Sequence, residues 1–283
     1  MGRKLMPLVP LAHVAQERAS ARAGLGAFNV IHLENAEAFV RAAERAGQPV
    51  VLQISQNAAT YHGALAPISL GTLEVARRAE VPVVVHLDHA EDLDLVYEAI
   101  NLGFTSIMYD GSALDYDDNV RNTADVVRRA HSAGISVEAE LGKVGGKDGV
   151  HAPGVRTDPT EAAAFVASTG VDALAVAVGT SHAMTTRDAA LDLELIGAMR
   201  RALDVPLVLH GSSGVSDEGM VAAIRAGMTK INVSTHLNKI FTAQVREYLD
   251  ENPAVVDSRK YFARGMNAVQ DEVARLLSLY AAP

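Results

Sequence analysis

Cysteine is absent from the 283-residue chain. That absence excludes disulfides and thiolate metal sites, and leaves His, Asp and Glu as the side chains able to hold a metal. It leaves the redox compartment open. Long hydrophobic runs are missing too: no stretch approaches the roughly 18 apolar residues of a membrane span, and MGRKLMPLVPLAHVAQERA has no apolar core of signal-peptide length. The expectation is a soluble, cytoplasmic protein with no membrane partner. Basic charge is in deficit, with 25 Lys and Arg against 34 Asp and Glu and a formal charge of -9. This argues against nucleic acid and anionic membrane, and favours small molecules, among them a phosphorylated metabolite in a local basic pocket.

Nearly half of the residues, 49%, are hydrophobic and 21% are charged, a globular composition without a disordered signature. One large core is possible, because α/β barrels of about 250 residues occur as one domain. The pattern alternates throughout. After a helical Leu11 to Arg22, strands are expected at Gly24–Val30, Pro49–Ser55, Val81–Asp88, Ser106–Asp110, Ser136–Leu141, Ala173–Gly179, Val205–Gly211 and Lys230–Thr235. Helices fall between them at about Glu34–Ala46, Ser69–Ala79, Leu93–Leu102, Asp118–Ala133, from Pro159, Leu193–Leu203 and Asp217–Ala226, with a loop following Ser55 as far as Ala66. Eight such units without a composition break predict an α/β fold, a TIM (β/α)8 barrel, with a doubly wound sheet as the alternative. Residues 1–283 are read as one barrel domain, in which 236–283 form a helical tail packed on the barrel or on another subunit.

In a barrel the chemistry lies where the strands end. There the sequence places Asn29, Ser55, Asp88, His89, Asp110, Glu140, His182, His210, Asn232 and Ser234. The stretch HLDHA puts two imidazoles around a carboxylate at one strand end, and His182 and His210 close two later strands. Three imidazoles with an open fourth position suit Zn²⁺. His86 is either a support behind a ligand or a hydrogen-bonded core histidine. His13, His62, His131 and His151 fall in helices or loops, where simple solvation suffices, and receive no role. Gly211-Ser-Ser-Gly214 and Asn232-Val-Ser-Thr235 end strands seven and eight, where barrels commonly hold a phosphate. The glycine-rich Gly145–Gly149 reads as a mobile lid carrying a catalytic group or as a surface loop.

GAFNV, HLDHA, MYDGS, VEAELG, GTSH, LVLHGSSG and KINVST together resemble the class II, zinc-dependent ketose-bisphosphate aldolases, the fructose-bisphosphate and tagatose-bisphosphate enzymes, in order and spacing nearly end to end. The resemblance implies reversible aldol cleavage of a ketose 1,6-bisphosphate to dihydroxyacetone phosphate and glyceraldehyde 3-phosphate through a zinc-stabilised enediolate. It makes His89, His182 and His210 the zinc ligands and Asp88 the proton carrier at the C4 oxygen. Glu140 becomes the acid near an alternative metal position, Asp110 and His86 supporting groups, and Asn29 and Ser55 substrate contacts. Gly211, Ser212, Ser213, Asn232, Val233, Ser234 and Thr235 would hold the dihydroxyacetone phosphate portion, beside a monovalent cation (Na⁺ or K⁺) near Gly179, Gly211 and Ser213. Arg259 resembles an arginine that binds the distal phosphate, sometimes across a subunit boundary, in a homodimer or homotetramer; the alternative is an exposed arginine at a helix start.

The chain departs from that pattern at the lid, where Lys147 and Asp148 follow Gly145-Gly146 in place of the usual glutamate. Asp148 is the candidate second proton carrier. Ala183 follows His182 where glycine is frequent, and Ser234 stands where one glycolytic subgroup has aspartate, so the sugar stays open. A zinc hydrolase is disfavoured because strand one lacks a His-x-His pair. A Schiff-base aldolase is disfavoured because Lys230 is read as beginning its strand and no other lysine ends one. A sugar-phosphate-binding protein that has lost the lid base stays open.

Overall fold

The computed structural model describes residues 7–141, 156–180 and 190–281. Eight parallel strands close into a barrel in sequence order: β1 (Leu25–Asn29), β2 (Val50–Ser55), β3 (Val83–Ala90), β4 (Ser106–Tyr109), β5 (Ser136–Glu140), β6 (Ala173–Ala175), β7 (Leu207–Leu209) and β8 (Met228–Val233). β8 returns to β1 with Ala27 opposite Asn232. Around it run α1 (Leu11–Ser20), α2 (Leu33–Ala46), α3 (Gln56–His62), α4 (Ala66–Arg77), α5 (Leu93–Leu102), α6 (Tyr116–Ser132), α7 (Pro159–Thr169), α8 (Leu193–Ala202), α9 (Asp217–Ala226), α10 (Thr235–Glu251) and α11 (Ser258–Ala281).

The strands are apolar on both faces at one end only. Their outward residues, such as Val83, Val85 and Leu87 on β3, join the large core under the helices. The inward set alternates with it, as the period of two requires. Leu25, Ala27, Val51, Val84, Met108 and Val208 fill the lower interior, and Leu11, Val14 and Ala15 of α1 pack beneath them. Toward the strand C-termini the same inward positions become Asn29, Gln53, His86, Asp88, Glu138, Glu140, Lys230 and Asn232, most of them buried. A helix therefore stoppers the apolar end, and polar groups collect at the other.

Two differences from the expected elements bear on the site. The stretch after Ser55 holds α3, capped by the Ser55 hydroxyl, which accepts from the Ala58 amide at 3.1 Å. Only Ala58 and Ala59 are buried in it, too few to mark a helix by periodicity. β8 begins two residues earlier than expected, so Lys230 lies within the strand rather than at its start. The tail forms α10 and α11, and α11 lies on the barrel. Gly26 permits the approach, since a Cβ there would stand 2.9 Å from Leu277. The Gly24 amide also donates to the Tyr280 carbonyl at 2.8 Å. Among the described residues no helix is long and apolar enough to cross a membrane.

Candidate active site

A cavity of about 620 Å³ opens at the C-terminal ends of the strands. Of the expected residues, Asn29, Ser55, Asp88, His89, Asp110, Glu140, His210, Gly211, Ser213, Asn232, Ser234 and Thr235 line it. Ser212 and Val233 sit just behind, both buried. His182, Ala183, His151 and the lid with Lys147 and Asp148 lie outside the described residues. Arg259 stands at the start of α11 with its side chain 88% exposed and its guanidinium on Asp257, and it does not line the cavity. Gln53, Gln56, Asn57, Glu91 and Ser112, not expected from the sequence, also line the wall. Gln53 could have been found by parity, being the inward residue between Val51 and Ser55.

Adjacent residues of a regular strand face opposite sides, yet Asp88 and His89 both reach the cavity. The reason is a break in pairing between Leu87 and Ala90 against β4, with His89 in the left-handed region at φ 47°. A bulge re-aims one side chain in this way.

Each group is held from behind. The Asn29 amide donates to Asp88 Oδ2 at 2.9 Å, and Gln53 in turn donates to Asn29 Oδ1 at 2.8 Å. Asp88 Oδ1 is buried with no hydrogen-bond partner among the described residues. His89 Nδ1 lies 2.9 Å from Asp110 Oδ2, so the ring donates there and Nε2 faces the cavity. The Ser112 hydroxyl and amide donate to the other Asp110 oxygen at 2.6 and 3.1 Å. His210 Nδ1 comes within 2.7 Å of His89 Nε2. His86 points into the barrel below, with Nδ1 2.8 Å from Ser106 Oγ.

The electrostatics favour positive charge at this spot. Burial works against a charged His89, but Asp88, the hydrogen bond to Asp110 and the nearby Glu140 outweigh it and push the ring up to about 10. Burial would likewise raise Asp110, yet the His89 bond and the two from Ser112 hold it well below the usual carboxylate range. His86 is the contrast: burial, followed by the charge of Lys230, keeps it well below its ordinary value and therefore neutral. Ligand atoms of Asp88, His89 and His210 lie within 4.8 Å of one another, as do those of His89, Asp110 and Glu140. Imidazoles backed by carboxylates, beside an orphaned carboxylate oxygen, fit a divalent metal.

The adjoining wall is formed by the turn after β7 and the start of α10. Gly211 adopts φ 68°, a conformation glycine takes without strain, and turns the chain into a 3-10 segment at Ser212–Gly214. The His236 amide donates to Ser213 Oγ at 3.2 Å, tying this turn to the first turn of α10. Ser212 Oγ donates to the Asn232 carbonyl, and Thr180 Oγ1 to the His210 carbonyl at 2.7 Å. A glycine turn facing the start of a 17-residue helix is a setting for an anionic group.

A closed parallel barrel with a histidine and carboxylate cluster at its strand ends defines a (β/α)8 enzyme with a site able to hold a metal. The chain belongs to the class II fructose-bisphosphate aldolase family: the family model "Fructose-bisphosphate aldolase class-II" matches residues 9–282. It is 39% identical over 272 residues to a fructose-bisphosphate aldolase of Geobacillus stearothermophilus, covering 95% of each chain. Identity to that of Giardia intestinalis is 36% over 292 residues, covering 94% of this chain and 90% of the relative. Among solved structures it resembles the YdjI aldolase from Escherichia coli K12, with a TM-score of 0.86 and 32% identity over 96% of this chain and 97% of that one. The protein is a class II aldolase, a carbon–carbon lyase.

Proposed function

We propose that this aldolase reversibly cleaves a ketose 1,6-bisphosphate of the fructose or tagatose type to dihydroxyacetone phosphate and glyceraldehyde 3-phosphate, with Zn²⁺ as its metal. The observation that carries this reading is the convergence of Asp88, His89 and His210 on one point of the cavity floor, with ligand atoms within 4.8 Å. His182 is assigned as the third histidine ligand and Glu140 as the carboxylate of an alternative position. Bound there, the zinc supplies a Lewis acid at the substrate ketone.

The remaining work falls to side chains. Asp88, fixed through Asn29 and Gln53, takes the proton from the C4 hydroxyl during cleavage and returns it during condensation. Asp148 is assigned the second proton transfer, at the carbon end. Gly211 to Ser213 and Asn232 to Thr235 receive the phosphate of the ketone fragment, with a monovalent cation beside Gly179, Gly211 and Ser213. Arg259 serves the distal phosphate in a homodimer or homotetramer that brings it to a cavity.

The test is cleavage of fructose and tagatose 1,6-bisphosphates with and without a chelator, with zinc added back. Activity is expected to vanish with chelator, return with zinc and survive borohydride in the presence of substrate, as no Schiff base forms. Asp88→Asn is expected to lose about 10²- to 10⁴-fold in kcat, the usual contribution of a general acid–base. Absence of cleavage of any ketose phosphate by zinc-loaded protein would leave a sugar-phosphate-binding role instead.

A further inference from the structure

One layer below the cavity lies a set of buried charged groups to which the chemistry above gives no role. Glu138 of β5 and Lys230 of β8 are both 0% exposed. Lys230 Nζ stands 2.9 Å from Glu138 Oε2. Because β5 and β8 are not neighbours, the pair spans the barrel interior. The other carboxylate oxygen, Oε1, lies 3.1 Å from His210 Nε2. The opposite ring nitrogen, Nδ1, is the one that meets His89 Nε2 at 2.7 Å. His86 Nε2 also faces Glu138 Oε2, at 3.7 Å.

Stability alone is a poor reason for such a pair, since well-packed apolar residues of the same volume commonly serve a core as well or better. Tautomer control is a better one. A carboxylate offers acceptors only, so the His210 nitrogen beside Glu138 must carry the proton, and the lone pair then sits on Nδ1. Asn232 Nδ2 lies 3.4 and 3.2 Å from the two ring nitrogens, nearly equidistant, and so does not select between tautomers. Lys230 forms an ion pair with the second carboxylate oxygen and balances its charge. Asp110 does the same for His89 from the other side.

We propose that Glu138 and Lys230 are positioning residues that hold His210 as the Nε2–H tautomer, with the Nδ1 lone pair turned to the divalent cation; this rests on the metal reading above. Glu138→Gln gives a sharp test, because glutamine has one acceptor oxygen where glutamate has two. Lys230 has donors only and takes that oxygen. The amide NH₂ then faces His210 Nε2, turns it into an acceptor and moves the ring proton to Nδ1, where it obstructs the cation. Adding Lys230→Met releases the amide oxygen to accept from Nε2–H again.

Two readouts decide it: the tautomer of His210 by ¹⁵N-histidine NMR of the metal-free protein, and affinity for Zn²⁺ and Co²⁺ by competition with a chromogenic chelator. Glu138→Gln is expected to show the Nδ1–H form and to bind both ions about 10- to 100-fold more weakly, while Glu138→Gln/Lys230→Met recovers the parent tautomer and most of the affinity. A single variant with the parent's tautomer and affinity, or a double variant as weak as the single, overturns the proposal. Should Glu138→Gln not fold, the double variant decides alone, since an Nδ1–H ring with weakened binding would refute it. If the parent binds neither ion, the metal reading fails, and the tautomer comparison still judges the Glu138 assignment.

Discussion

His89 shows how much one side chain owes to the groups behind it. Its ring is turned by Asp110 at 2.9 Å, and Asp110 is in turn fixed by Ser112. Replacing Asp110 with asparagine keeps the shape but removes the charge and permits an NH₂ to face the ring. Asp110→Asn is expected to weaken Zn²⁺ binding by about 10- to 100-fold with little change in thermal stability. Chelator competition beside a thermal melt would check this, and equal affinities would show that Asp110 does not orient the ring. Asp110 was legible in the sequence because it ends a strand in MYDGS. Glu138 was not, although it lies two residues before Glu140. Strand ends mark only the mouth of the barrel, and Glu138 lies buried in the layer beneath. Lys230 was hidden for a different reason: the offset of β8 by two residues made a buried barrel residue look like a strand start.

At the level of elements, three helices are tied together beside the Ser212–Gly214 turn. His236 on α10 lies 2.7 Å from Glu272 on α11, and Arg275 joins Glu272 at 2.8 Å to Asp217 on α9. Burial would raise the Glu272 carboxyl, but the bonds from Arg275 and His236 and their charges hold it down to about 2 from an ordinary 4.5. A depressed folded value means that the stabilisation is fully present above the unfolded value and is lost as pH falls toward the folded one. The contribution is on the order of 2 kcal/mol, allowing for the 16% of the side chain that water reaches. In urea unfolding, the gap between the parent and Glu272→Gln is therefore expected to narrow as pH drops from about 5 toward 3. A gap that stays constant over that range would remove Glu272 from the acid response. This clamp could not be read from the chain, since its members come from positions 217, 236, 272 and 275 and none belongs to a motif. The same limit applies to the bulge at His89: HLDHA announces both groups, but only the broken pairing with β4 explains how neighbours face one cavity.

Across the whole molecule the interior is graded, apolar at one end and ionic at the other, and the alternation of strands and helices made that architecture legible from the pattern alone. The alternation could not show what α1 does. With Leu25, Ala27, Val51, Val84, Met108 and Val208 filling the lower interior and Leu11, Val14 and Ala15 packed against them, the barrel is a blind well rather than a passage. Both fragments of a cleaved sugar must then leave by the mouth through which the sugar came, and the one seated deeper waits behind the other. Departure in a fixed sequence has a kinetic signature: the fragment released last competes with the substrate for the empty well, whereas the fragment released first inhibits noncompetitively. Initial-rate studies of the proposed cleavage with each product added separately are expected to give that unequal pair, and two competitive patterns would mean that the fragments escape independently. Side chains that contribute nothing to the chemistry, packed into the floor of the barrel, would in this way decide the order in which products are surrendered.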